Sequence, residues 1–243
     1  FDDVRVRHAL QMAIHLEEIN AVFWKGFADT TPQTYMSSLL VGYVPKFEDW
    51  PEETKQYYRY DPEGAEKLLD EAGYPRGADG IRFKTTWEYS YRKPISYAEI
   101  VVEYFRAIGI EVEIFIQDAA RASSSVAEHT YEGMVAGQAA QCTNPEKSVG
   151  SFHSENLAYG GWNWTGIQDP VYDAMVEAAY AATTIEEQQR LVREAAIYST
   201  EQHWRLWGSR VPQFNVRQPW VIGYNGEVDL GDMDRWVLVA RFW

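Results

Sequence analysis

Apolar side chains near the start of the chain fall at Val6, Leu10, Ala13 and Ile14, a helical spacing, while Arg5, Arg7, Gln11 and His15 fall elsewhere around the wheel. This predicts an amphipathic helix. A second helical stretch through Ile19, Val22 and Phe23 runs to Gly26. Thr30 to Pro51 then carries Pro32, Gly42, Pro45 and Pro51 and predicts an extended loop. Asp61-Pro62-Glu63 is a strong helix start, because the Asp carboxylate can accept an orphan backbone N–H and proline loses nothing at the first helical position. Ala65, Leu68, Leu69 and Ala72 form the apolar stripe of that helix. Glu63, Glu66, Lys67, Asp70 and Glu71 form its wet side, and Gly73 supplies the stop.

The next stretch alternates strand and helix: a strand over Ile81 to Trp87, a helix over Pro94 to Ile108 closed by Gly109, a strand over Val112 to Ile116, a helix over Ala119 to Glu128, and a strand over Tyr131 to Gly137. With helices between the strands and no tight hairpin turn, the connections read as right-handed crossovers. The expected fold class is α/β, with a mainly parallel sheet flanked by helices. From Gln138 to Asp169 the periodicity disappears in a run dense in Gly, Asn, Ser and aromatics, and a loop of this length in a compact domain is usually functional. Asp169-Pro170 repeats the cap-plus-proline start, and Thr184 to Glu187 has capping-box spacing ahead of Leu191, Ala195 and Tyr198. Pro212 to Trp243 alternates irregularly, as short strands do.

Charge changes the picture by exclusion. The net charge of -14 repels phosphate backbones and anionic lipid surfaces, so nucleic acid is a poor partner. No apolar run is long enough to span a membrane, and Phe1-Asp2-Asp3 is too acidic to open a secretory signal, so any export signal or lipid anchor is expected upstream. The single Cys142 cannot form an internal disulfide. The 10 Trp, 16 Tyr and 10 Phe offer many flat, half-polar surfaces, which fill a core or stack on a ligand.

Catalytic signatures are missing. There is no G-x-G-x-x-G, G-x-x-x-x-G-K-[ST], G-x-S-x-G or H-E-x-x-H, and His8, His15, His129, His153 and His203 lie far apart, so no cofactor and no metal site is expected. Cys142 with Asn144 and His153 obeys no spacing rule for a nucleophile and its base. Asn163-Trp164-Thr165 matches a glycosylation sequon, a pattern short enough to recur by chance.

The opening FDDVRVRHALQMAIHLEEI, followed by YDPEGAEKLLDEAGYPRG, resembles the family 5 extracellular solute-binding proteins, the oligopeptide, dipeptide and nickel group. RAIGIEVEI is similar to that family's helix-Gly-strand step, and DPVYDAMVEAAYAATTIEEQQRLVREA to its late pair of helices, in the same order along the chain. The resemblance implies a type II periplasmic-binding-protein fold, of which residues 1–243 would be the C-terminal ligand-binding lobe, without the N-terminal lobe. It also implies an extracytoplasmic, lipoprotein-type component of an ABC importer, whose partners are the solute, the other lobe and the transporter permease. Such a protein binds and does not turn over, so it is not an enzyme.

Carried onto this sequence, the family's cleft-facing loop follows the third strand and offers Gln138, Gln141 and Asn144 as polar contacts. Where peptide binders of the family commonly carry Asp-Pro, with the carboxylate holding the ligand's amino terminus, this chain has Asn144-Pro145. An amide cannot neutralise an ammonium group, which turns the expectation from a purely oligopeptide ligand toward an oligosaccharide-like solute with hydroxyls to be met. Tyr159, Trp162 and Trp164 could supply stacking faces, with Asn163 among them and Tyr89 at another strand's carboxyl end. Alternatively, Trp162 and Trp164 pin the loop to the lobe and Asn163 satisfies its backbone. The rival functions are a fragment of a glycoside hydrolase, with a loop acid such as Glu155 in the pair, and a self-sufficient glycan-binding module. The second is disfavoured by the alternation of helix and strand, because many such modules are all-β.

Overall fold

Asp3 opens the first helix, α1 (Val4–Met12), by accepting the Arg5 backbone N–H on its carboxylate. The computed structural model describes residues 1–37, 40–90, 94–135, 144–157, 163–211, 218 and 220. The inner face of α1 carries Val6 and Leu10, as the spacing requires, but Gln11 is buried as well, only 1% exposed. The helical wheel puts Gln11 outside the apolar stripe. What reverses this is a distant backbone partner: Gln11 Oε1 accepts from the Trp207 N–H at 2.6 Å, and Nε2 donates to the Trp207 carbonyl at 3.3 Å.

His15 caps α2 (Leu16–Val22), its Nδ1 accepting from the Glu18 N–H at 3.2 Å. The proline-rich stretch that follows ends in one turn of helix, α3 (Glu52–Lys55). In α4 (Pro62–Glu71) the Asp61 carboxylate accepts the Gly64 N–H at 2.9 Å, and Ala65 and Leu69 are fully buried. The wet side of α4 is more occupied than a solvated face: Glu66 receives Arg76 at 3.0 Å and Arg82 at 2.9 Å, so it clamps the helix to the start of the sheet.

The sheet follows the expected alternation. β1 (Phe83–Ser90), α5 (Ile95–Ala107), β2 (Ile110–Gln117), α6 (Ala119–Ala127) and β3 (Met134–Val135) come in that order, and all pairings are parallel, in the spatial order β2-β1-β3. The strand expected from Ile81 begins two residues later. The Ile81 carbonyl accepts from Gly77 and its N–H donates to Asp79, so that residue belongs to a turn. The register runs from Phe83 opposite Ile110 to Ser90 opposite Gln117, which makes both strands longer than their apolar cores. Of the strand expected over Tyr131 to Gly137, pairing covers Met134 and Val135, and residues 136 and 137 lie outside the described part. Gly109 turns α5 into β2 at φ +86°, where a Cβ would come within 2.9 Å of the Gly80 carbonyl, so glycine is required twice over.

The long irregular run contains a helix that its composition hides. Asn144-Pro145 starts α7 (Pro145–Val149), with the Asn144 side chain accepting the Lys147 N–H at 2.9 Å. It is the same device as Asp61-Pro62 and as Asp169-Pro170, which opens α8 (Pro170–Ala181). Thr184 caps the last helix, α9 (Ile185–Glu201). The expected strands of Pro212 to Trp243 lie outside the described residues, apart from two isolated positions.

Two apolar clusters result. One gathers α1, α2, α4, α5 and β2 around Leu10, Leu69, Phe105 and Ile110. The other gathers Tyr35, Met36 and Leu40 with α7, α8 and α9 around Phe152, Tyr172, Val176 and Val192. The segment after α9 ties them together: Trp204 packs on the second cluster, while Leu206 and Trp207 pack on the first. No described helix is long and apolar enough to cross a membrane.

Candidate functional site

Between the two clusters lies a cavity of about 990 Å³. Its floor includes Leu10, Ile14 and Phe105 from the first cluster, and its far wall includes Tyr35 from the second. The carboxyl halves of two parallel strands open into it, through Trp87 and Tyr89 of β1 and Met134 and Val135 of β3. This is where an α/β sheet presents loops without disturbing its core. The cavity is closed by Trp164 to Asp169 on one side and by Gln202 to Val211 on the other.

The expected site residues divide into three groups. Tyr89 and Trp164 both line the cavity. Tyr89 is 3% exposed, its hydroxyl donates to the Pro94 carbonyl at 3.1 Å, and burial pushes its pKa up to about 12, so it stays a neutral donor at any ordinary pH. Trp164 is half-buried and held in place where Tyr131 donates to its carbonyl at 2.9 Å.

Asn163 and Asn144 serve the loop. Asn163 is 1% exposed, and its amide donates to the carbonyls of Phe152, His153 and Ile167 at 3.1, 3.2 and 2.7 Å, while Oδ1 accepts from Thr165. This is the backbone-satisfying role, and it also removes Asn163 from any glycosylation sequon. The Asn144 oxygen is committed to capping α7, and Asn144 is not part of the cavity wall. Gln138, Gln141, Tyr159 and Trp162 lie outside the described residues. The rival acid Glu155 uses its N–H to bond His153 Nδ1 and does not line the cavity.

Sequence reasoning passed over the segment after α9, which supplies most of one wall. Trp204, Arg205 and Trp207 line the cavity along with Tyr97 and Tyr131. The signal was the compact aromatic and basic run Trp204-Arg205-Leu206-Trp207 directly after a capped helix. Arg205 lies with its guanidinium carbon 4.6 Å from the centre of the Phe152 ring and 5.5 Å from that of Tyr35. Burial lowers its pKa from the ordinary arginine value. Beside it His203 is 1% exposed at φ +47°, and neither ring nitrogen has a hydrogen-bond partner among the described residues.

Among the described residues no group of three His, Cys, Asp or Glu side chains could hold a metal ion. The arrangement offers stacking faces, a few fixed hydroxyls and one half-buried cation around a half-open volume, which suits holding a small molecule.

The family model of bacterial extracellular solute-binding proteins, family 5 Middle, matches residues 1–159. Heme-binding protein A of Haemophilus influenzae is 25% identical over 199 residues, covering 81% of this chain and 34% of that protein. Glutathione-binding protein GsiB of Salmonella choleraesuis is 28% identical over 205 residues, covering 80% of this chain and 37% of that protein. Among solved structures, the oligopeptide-binding protein AppA of Bacillus subtilis, in complex with a nonapeptide, superposes with a TM-score of 0.72 at 22% identity, over 87% of this chain and 42% of that one. The periplasmic binding protein DppA of Helicobacter pylori, in complex with the peptide STSA, superposes with a TM-score of 0.66 at 21% identity, over 84% of this chain and 38% of that one. The chain thus spans between about a third and two fifths of the length of these proteins.

Proposed function

Because the chain belongs to the bacterial extracellular solute-binding proteins of family 5, whose relatives bind solutes and share its layered parallel sheet, we propose that it is one lobe of the solute receptor of an ABC importer. A second lobe, contributed by a part of the protein outside this chain, would close over the cavity and complete the cleft. The closed form would then meet the permease on the outer side of the membrane, where a lipid anchor could hold the receptor.

The observation that carries this reading is the aromatic cavity of about 990 Å³ at the carboxyl ends of β1 and β3. That volume suits a peptide of a few residues or a solute of similar size. A peptide-like solute is preferred to an oligosaccharide, since peptides, glutathione and heme stand in the names of these relatives and no saccharide does among them. Tyr89 and Trp164 would touch the solute, and Gln138, Gln141, Tyr159 and Trp162 stay in the proposal as neighbours of the same loop. The relatives are binding proteins, and no turnover is expected.

The test uses the full-length protein and a mixed tripeptide library. Binding should raise the melting temperature by several degrees and shift the tryptophan emission, and Trp164→Ala should weaken binding about tenfold. The bound peptides should be recovered intact by mass spectrometry. Cleaved peptides, or a melting temperature indifferent to every peptide pool, would reject the reading.

A further inference from the structure

Three arginines stand in the cavity wall, and the side chains of two of them are hydrogen-bonded. Arg7 donates to the carbonyls of Gln202, Phe1 and Asp2, and Arg210 donates to Gln33 and pairs with Asp29 at 2.5 Å. Arg205 is different. Its side chain makes no hydrogen bond and no ion pair among the described residues, although a guanidinium carries five donors in a fixed fork.

What surrounds that guanidinium is aromatic. It lies over the rings of Phe152 and Tyr35, and the polar groups that act on it are the hydroxyls of Tyr35, Tyr172 and Tyr131. All three hydroxyls already donate elsewhere, Tyr35 to the Arg205 carbonyl, Tyr172 to the Val149 carbonyl and Tyr131 to the Trp164 carbonyl. Two acids line the cavity, Asp2 and Asp169, and neither pairs with Arg205: Asp169 caps α8 with one oxygen, and its other oxygen accepts from Tyr198 at 3.0 Å. Ring faces compensate a partly desolvated cation only in part, and a half-buried guanidinium with no anion among the described residues is held at a cost. It persists where a partner arrives from outside.

We infer that the solute carries a carboxylate and that Arg205 receives it, inside the cavity and between the two apolar clusters. This rests on the solute-receptor reading above and narrows the solute to an anion or zwitterion. It also gives a specificity role to the segment after α9. The planar fork of arginine matches the two oxygens of a carboxylate, and the aromatic floor strips water from the pair, so the bond would be short and selective. In a protein with a net charge of -14, attraction of the anion has to be local, and a cation sunk among rings is shielded from the acidic exterior.

The experiment uses the full-length protein, wild type and with Arg205→Met or Arg205→Lys. It compares a mixed tripeptide library with free carboxyl termini, the same library amidated, and an amidated library with glutamate at one position. Tryptophan emission reads the affinity. The free-acid library should bind at least tenfold more tightly than the amidated one. R205M should erase that difference, and R205K should keep part of it. If the glutamate-bearing amides bind as the free acids do, the carboxylate received is a side chain's. If only the free acids bind tightly, it is the chain terminus. Equal binding of all three libraries by the wild type, or a preference surviving in R205M, overturns the inference.

A second measurement needs no ligand. Because the charge has no counter-ion among the described residues, solute-free R205M should melt at or above the wild-type temperature. A fall of several degrees would assign Arg205 to the fold and overturn the inference even where R205M is too unstable for binding work. Should neither peptide form bind while R205M melts normally, the peptide reading of the cavity fails. The carboxylate inference then stands or falls on the same comparison made with citrate and succinate.

Discussion

Asn163 shows how one side chain can hold a loop that has little regular structure. Its amide bonds three carbonyls from two parts of the run between α7 and α8. Asn163→Ala should lower stability by about 2–4 kcal/mol, since the Phe152 and Ile167 carbonyls lose this donor and the His153 carbonyl keeps only the Asn156 N–H, and denaturant titration would measure it. Asn163→Asp should be no better, because a carboxylate repels the carbonyls the amide satisfied. His203 is the second residue whose substitution is informative. Burial lowers its pKa to about 3, against an ordinary value of 6.5, and it meets His8 edge-on at 4.7 Å, whose pKa burial also lowers. A folded-state pKa below the unfolded one means that the contribution is whole above pH 6.5 and is lost as the pH falls toward 3, where the unfolded chain takes up a proton that the fold refuses. His203→Asn tolerates the left-handed backbone and should make the melting temperature less sensitive to acid across that window. An unchanged slope would place the acid sensitivity elsewhere.

The elements reward the same scrutiny. α4 is tied to the sheet by Glu66, whose pKa is held down at about 2, first by hydrogen bonding to Arg76 and further by Arg82, against burial that would raise it. The depressed value means that the tie is whole above about pH 4.5 and is lost as the pH falls toward 2. Glu66→Gln should therefore melt lower at pH 7 and show a flatter acid limb, a modest change because the side chain is 36% exposed. Much of the element plan could be read directly in the residues. Asp61-Pro62, Asp169-Pro170 and Thr184 all open helices where their chemistry says they should, and Gly109 turns where only glycine fits. The misses share a cause. Asn144-Pro145 carries a cap-plus-proline start that the composition of the run hides, and Gln11 falls outside the apolar stripe because its partner, Trp207, is invisible to local periodicity. Of the candidate site, Tyr89 and Trp164 could be found from their places after or beside strands. Arg205 could not, since its place over the rings of Phe152 and Tyr35 in the cavity wall follows from packing and not from any local pattern.

At the scale of the whole molecule, the cavity and the fold share their keystone. The segment after α9 joins the two clusters, lines the cavity and closes on the first helix. Arg7 reaches the Gln202 carbonyl, His8 the Glu201 carbonyl and Gln11 both polar groups of Trp207. Gln11→Leu strands the Trp207 amide and carbonyl and should cost about 2–3 kcal/mol, while leaving α1 itself helical by circular dichroism. These bonds span 193 to 196 positions of the chain. One consequence concerns time. α1 is long in completing its contacts, since His8 and Gln11 wait for partners until nearly two hundred further residues have been synthesised. A nascent chain halted short of Trp207 should stay open to proteases along α1, and one released after it should become resistant. A fold whose first helix and last wall meet so late stays pliant while the nearly two hundred residues between them are being made.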